Sequence, residues 1–171
     1  VLALSVRGGR VFPLDRESRT IIPRRFFLGG ASTMRGFAEE EMIQEDVRGA
    51  LAAEGKLCAT SYTGIGCTER GRRVASGDRP VSEGGEAYLL GKTELRVGLT
   101  RAVEAGLFLD AGNLWLDPNK FEALDLRTNA GAGLRFVTPI GPAALDLGFN
   151  LDRDTSINER LFALHFTIGL F

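Results

Sequence analysis

Apolar and polar side chains alternate with a period of two through six stretches of the chain, roughly 1 to 10, 85 to 100, 103 to 116, 125 to 138, 142 to 150 and 160 to 171. That period puts neighbouring side chains on opposite faces of an extended backbone, so the six stretches are read as β-strands. In the fourth, Leu126, Thr128, Ala130, Ala132, Leu134 and Phe136 share one face, while Arg127, Asn129, Gly131, Gly133 and Arg135 share the other. The same division sets Leu89, Leu95, Val97 and Leu99 against Tyr88, Lys92, Glu94 and Arg96, and Leu145, Leu147 and Phe149 against Asp146, Gly148 and Asn150. In the last stretch Phe162, Leu164, Phe166, Ile168 and Leu170 fall together. Alternation alone fits a soluble sandwich with its apolar face inward as well as it fits a membrane barrel with that face toward lipid.

The connections separate the two architectures. Links at Thr100 to Ala102 and Pro139 to Gly141 are tight, whereas 11 to 84, 117 to 124 and 151 to 159 are long and polar. Short turns on one rim and long loops on the other belong to outer-membrane barrels, and the strands are long enough to cross a bilayer at a tilt. The expected fold is therefore all-β, an antiparallel transmembrane β-barrel. Six strands cannot close one, since bacterial barrels begin at about eight and open edges in lipid leave backbone groups unsatisfied. With a strand-like segment already at Val1, the chain reads as part of a longer protein. The stretch 11 to 84 is too long for a structureless connection, so it is read as a functional loop or as partly disordered. The chain shows no internal repeat of 20 to 50 residues, no low-complexity tract and no helical heptad.

Composition narrows the function classes. A formal charge of −1 and a pI near 5.9 leave no basic surplus for a nucleic-acid partner. There is no apolar run of about 18 residues, which excludes a membrane-spanning helix and leaves strands untested. The 22 glycines and 6 prolines suit β-structure better than a helix bundle.

Four blocks carry a more specific signal. FFLGGASTMRGF, Phe26 to Phe37, places an arginine inside a glycine-bounded loop; GLFLDAGNLW, Gly106 to Trp115, puts an aspartate on a strand; GAGLRFVTPIGPAALDLGF spans Gly131 to Phe149; and FTIGLF closes the chain at Phe166 to Phe171. Together, in this order, they resemble the BamA/TamA family of outer-membrane assembly and translocation barrels, bacterial surface antigens, over nearly all 171 residues. The resemblance implies a sixteen-stranded barrel preceded by periplasmic domains, of which this chain would be the last six strands. It implies that the long loop folds into the lumen, where Arg35, followed by Gly36 and Phe37, meets Asp110 and Glu94 on the wall. The glycines Gly29, Gly30 and Gly112 match the family's motif positions. Phe166, Gly169 and Phe171 would mark the closing strand beside a lateral seam, although Phe171 falls on the opposite parity from Phe162 and Phe166, one residue short of the usual family ending.

Parity agrees on the acids, since Glu94 shares the charged face of its strand and Asp110 lies opposite Leu107 and Leu109. An arginine fork on carboxylates away from bulk water is strong, and an unpaired partner there is costly. The alternative for Arg35 is an ordinary solvated loop arginine. Cys58 and Cys67 are the only cysteines; some family members carry a similar loop pair, so a bridge is favoured, against two free thiols or half a metal site. The runs Glu39, Glu40, Glu41, Glu45, Asp46 and Arg70, Arg72, Arg73, Arg79 are read as solvated surface, with lipopolysaccharide phosphate or divalent ions as the alternative. His165 faces the lumen, and without a nucleophile beside it offers no catalytic base.

What the resemblance implies is a non-enzymatic factor in the outer membrane of a Gram-negative bacterium that inserts unfolded outer-membrane clients, needs no cofactor or metal, and works with lipid, lipopolysaccharide and periplasmic accessory lipoproteins. A translocation or lipid-transport relative is the alternative within the family. Outside it stand a passive porin or receptor, whose selectivity Arg7, Lys92, Glu94, Arg96, Arg127, Arg135 and Asp146 would set, and a membrane hydrolase, which lacks a nucleophile and base in view.

Overall fold

A computed structural model describes residues 1–12, 20–61, 66–138 and 141–169. Each alternating stretch forms a strand: β1 (Leu2–Arg10), β2 (Ala87–Gly98), β3 (Val103–Trp115), β4 (Arg127–Thr138), β5 (Gly141–Asn150) and β6 (Phe162–Ile168). They make one sheet in chain order, every neighbour antiparallel. The fold is all-β and of barrel type. β6 ends earlier than the alternation suggests because Gly169 takes φ +118°, which turns the backbone out of the extended conformation. The expectations for Leu170 and Phe171, and for Pro139 in its tight link, lie outside the described residues.

Register turns the alternation into two surfaces. Leu2, Leu95, Leu107, Ala132, Leu147 and Leu164 stand side by side across all six strands. Three residues along each strand, the opposite face carries the row Lys92, Asp110, Asn129 and Asn150. A water-soluble sheet would bury the first row and wet the second. Here Leu107 is 62% exposed and Asp110 0%, the inversion that a lipid-facing surface requires. The tight link between β2 and β3 is closed by Thr100, whose hydroxyl accepts from the backbone N–H of Ala102 at 3.2 Å and of Val103 at 3.0 Å.

The charged face is covered by the long connection between β1 and β2. That connection holds two helices that a search for alternation does not anticipate, α1 (Glu45–Thr60) and α2 (Glu69–Ala75). Glu45 and Asp46 sit in the first turn of α1, where they suit the helix dipole, and Thr68 caps α2 by accepting from Gly71 N at 3.0 Å. The Cys58–Cys67 disulfide ties the end of one helix to the approach of the other, with the Cα atoms 5.2 Å apart.

Two apolar clusters fasten this cap. Leu28, Met34, Phe37 and Met42 of the connection pack on Leu90 of β2 and Leu114 of β3. Ile43, Leu51 and Val74 pack on Ile157 from the link between β5 and β6. On the covered face the cluster at Leu90 and Leu114 lies toward the long loops, and the charged Glu94, Arg96, Arg135 and Asp146 lie toward the tight turns.

Candidate functional site

The loop from Phe26 to Phe37 is built to present one residue. Gly29 and Gly30 have φ +115° and +103°, a region that costs other residues strain, and they reverse the chain in two steps. Thr33 pins the reversal, its hydroxyl accepting from Gly29 N at 3.0 Å and donating to Gly29 O at 2.8 Å. Gly30 N then donates to Phe37 O at 3.1 Å, which closes the loop on itself. Met34 and Phe37 are both buried in the apolar cluster, so Arg35 and Gly36, caught between two anchored neighbours, have a fixed direction.

That direction carries Arg35 onto β2 and β3. Its Nε donates to Asp110 Oδ2 at 3.0 Å and its NH2 to Asp110 Oδ1 at 2.6 Å, a two-pronged pairing, while NH1 reaches Glu94 Oε2 at 2.7 Å. The backbone N–H of Arg35 adds a bond to Asp110 Oδ2 at 3.2 Å. The guanidinium lies over the ring of Phe108, 3.6 Å from its centre. Arg35 is 2% exposed. Burial works against its charge, but hydrogen bonds and attraction from Asp110, then Glu94, outweigh that and raise its pKa above the ordinary arginine value.

The pair is the centre of a larger ionic lattice. Glu94 Oε1 also accepts from Arg96 Nε at 2.7 Å and Arg135 NH2 at 3.1 Å, and Arg135 NH1 reaches Asp146 Oδ1 at 2.5 Å. Three arginines thus meet three carboxylates across β2, β3, β4 and β5. Lys92 braces the loop from another side, donating to Ser32 O at 3.1 Å and Ala31 O at 3.4 Å. Around Phe37 a second buried pair forms: Arg127 stacks on its ring at 4.9 Å and bonds Glu159 Oε1 at 2.8 Å.

The structure brings Arg35, Glu94 and Asp110 into direct contact. Gly112 lies on the covered face of β3 beside Met34, and Gly36 packs on Asn129 of β4. Phe166 points outward and Gly169 ends β6. Inward parity in the sequence already held Lys92, Arg96, Arg135 and Asp146 as lining charges, but not as partners of the loop. Glu159 was missed, since its link has no period to read. The charged runs differ from the solvated surface expected of them. Glu41 takes both Arg79 at 2.8 Å and Arg160 at 3.1 Å, Asp46 accepts from the backbone of Leu116 and Asp117, and Arg70 pairs with Glu83. Packing of the cap against the strand ends puts these groups beside partners of opposite charge. Glu39, Glu40, Arg72 and Arg73 are exposed as expected. Among the described residues no three His, Cys, Asp or Glu side chains are grouped to hold a metal ion.

Comparison with known proteins gives these positions a family context. Residues 1–171 match the sequence model of the Omp85 superfamily domain. No curated protein sequence matches the chain. Among solved structures it is similar to the crystal structure of BamA from Haemophilus ducreyi lacking POTRA domains 1-3, at 16% identity and a TM-score of 0.57 over 97% of this chain and 32% of that one. At that identity the likeness is one of fold, and the chain spans about a third of that structure's length.

Proposed function

The chain belongs to the Omp85 superfamily along its whole length, and from that premise we propose that it is the C-terminal part of an outer-membrane barrel that inserts other β-barrel proteins, with Arg35 as the latch of a plugging loop. The complete barrel has sixteen strands and periplasmic domains ahead of it. The observation that carries the reading is the buried fork of Arg35 on Asp110 and Glu94, made by a loop that covers the charged face of a sheet whose other face is bare and apolar. A loop held by so many charge-assisted bonds closes a lumen, and it closes it reversibly, because every one of those bonds is non-covalent.

The action follows from what lipid denies an unfolded strand. Backbone N–H and C=O groups in hydrocarbon need partners, and an open strand edge supplies them. On the family reading the lateral seam lies beside β6, flanked by Phe166 and Gly169. A client adds its strands at that edge by backbone pairing. This chemistry breaks no covalent bond and uses no cofactor or nucleotide. Partners are client polypeptides, periplasmic accessory lipoproteins, and the lipid and lipopolysaccharide of a Gram-negative outer membrane.

The test is growth complementation by the full-length gene carrying Arg35→Ala in cells depleted of the wild type. Loss of growth, with the folded barrel still recovered from membranes, is the expected result; full complementation overturns the assembly reading with its latch. A second reading, a passive pore, is favoured by a cavity of about 330 Å³ beside Arg35, whose charged lining is Arg7, Lys92, Glu94, Arg96, Arg135 and Asp146. Large, steady, ion-selective current in planar bilayers supports the pore, and small flickering current the plugged assembly barrel.

A further inference from the structure

The guanidinium of Arg35 is held by β2 and β3, but its backbone faces the other half of the sheet, and the wall there is shaped to receive it. Gly148 of β5 leaves room where any side chain would intrude: a Cβ at that position would overlap the Arg35 carbonyl and stand 2.9 Å from Gly36 N. Next to it, on β6, His165 Nε2 lies 3.1 Å from the same carbonyl oxygen. A carbonyl only accepts, so this nitrogen carries the proton and donates. On β4, Asn129, with its amide turned to satisfy both ends, accepts from Gly36 N at 3.2 Å and donates to Asp110 Oδ2 at 3.1 Å. Asp146, the cross-strand neighbour of His165, is already engaged by Arg135.

We propose that His165 is a positioning residue for the Arg-Gly-Phe loop, seating the backbone of Arg35 from the strand that borders the seam. The inference rests on the latch reading and extends it. Within the described sheet β6 pairs with β5, and on the seam reading it is the strand that moves when the barrel opens sideways. Any tilt of β6 away from β5 lengthens the His165 bond before it touches the fork on Asp110 and Glu94. The loop thereby senses whether the closing strand is in place. Gly148 serves the same contact by leaving the carbonyl unobstructed.

Trypsin supplies the readout, because cleavage after Arg35 requires the buried residue to come out. Full-length protein in membrane vesicles is digested briefly, and cleavage at that bond is counted by mass spectrometry for wild type, His165→Leu, His165→Gln and Gly148→Ala. Barrel integrity is followed in parallel by the mobility of the unheated protein on gels. Losing one part-buried hydrogen bond is expected to raise cleavage in His165→Leu by roughly five- to tenfold with mobility unchanged, and Gln, which keeps an N–H donor, is expected to stay near wild type. Gly148→Ala, which alters neither a charge nor β6, is expected to follow His165→Leu. Cleavage in His165→Leu equal to wild type overturns the proposal, as does a Gln variant as open as the Leu one. Should His165→Leu not fold, unchanged cleavage in Gly148→Ala overturns it instead. Growth with Arg35→Ala decides the latch, while this comparison decides the part of His165 whatever the activity.

Discussion

At the scale of single residues, the two acids facing Arg35 are not equivalent. Asp110 accepts three of the four N–H bonds that Arg35 sends to the wall, and Glu94 accepts the other while also serving Arg96 and Arg135. Asp110→Asn should therefore loosen the loop most, since removing one partner of a buried pair costs about 3–5 kcal/mol. Glu94→Gln should loosen it less and instead disturb Arg96 and Arg135 on the wall. Hydrogen exchange over residues 29–38 checks the order: equal protection in the two variants, or greater exposure in Glu94→Gln, contradicts it. Arg35→Lys should fall between wild type and Ala, because an ammonium keeps the charge and loses the two-pronged geometry. The triad was legible because the family resemblance pointed to Arg35, Asp110 and Glu94, and parity agreed that both acids face inward. His165 and Gly148 were not, because their role depends on where a loop backbone lands, and no local pattern encodes that.

Among the elements, the strands were legible and the helices were not, for a physical reason. A strand half in lipid must alternate, so β2 to β5 announce themselves. α1 contains Gly49 and Gly55 and α2 contains Gly71, residues that lower helix propensity. Gly55 and Gly71 are there for tertiary contact: a Cβ on Gly71 would stand 2.8 Å from Cys58 Sγ, so small residues are needed where the two helices meet. Their stability comes from the disulfide and from packing. Replacing Cys58 and Cys67 by Ser should lower the stability of the helix pair by about 2–3 kcal/mol, as expected for a short closed loop. Faster amide exchange in 45–60 and 69–75, with β2 to β5 unchanged, is the expected signature. Ile157→Ala should detach the link between β5 and β6 from the cap at a local cost of about 2–5 kcal/mol, seen as faster exchange in 151–161. Protection equal to wild type there would show that the polar contacts of Asn158 and Arg160 suffice.

For the molecule as a whole, the inversion of the two faces is the governing feature. Leu107→Arg, in the middle of the outward row, should lower folding stability in lipid vesicles by about 2–4 kcal/mol. The same change should be far milder in detergent, where water and headgroups reach the side chain. An equal penalty in both media contradicts the outward orientation. The sheet's antiparallel order followed from alternation and link lengths, whereas its covering could not be read ahead, because the cap's clusters join residues as distant as Leu51 and Ile157.

The ionic lattice has an electrical consequence. With three arginines matched to three carboxylates, it is neutral as a body, and a transmembrane voltage does no net work in shifting it whole. Freed from its acids, Arg35 becomes a lone mobile charge, on which a full 100 mV drop is worth about 2.3 kcal/mol. The closed state is thus blind to voltage, and sensitivity to the field begins only when the arginine departs.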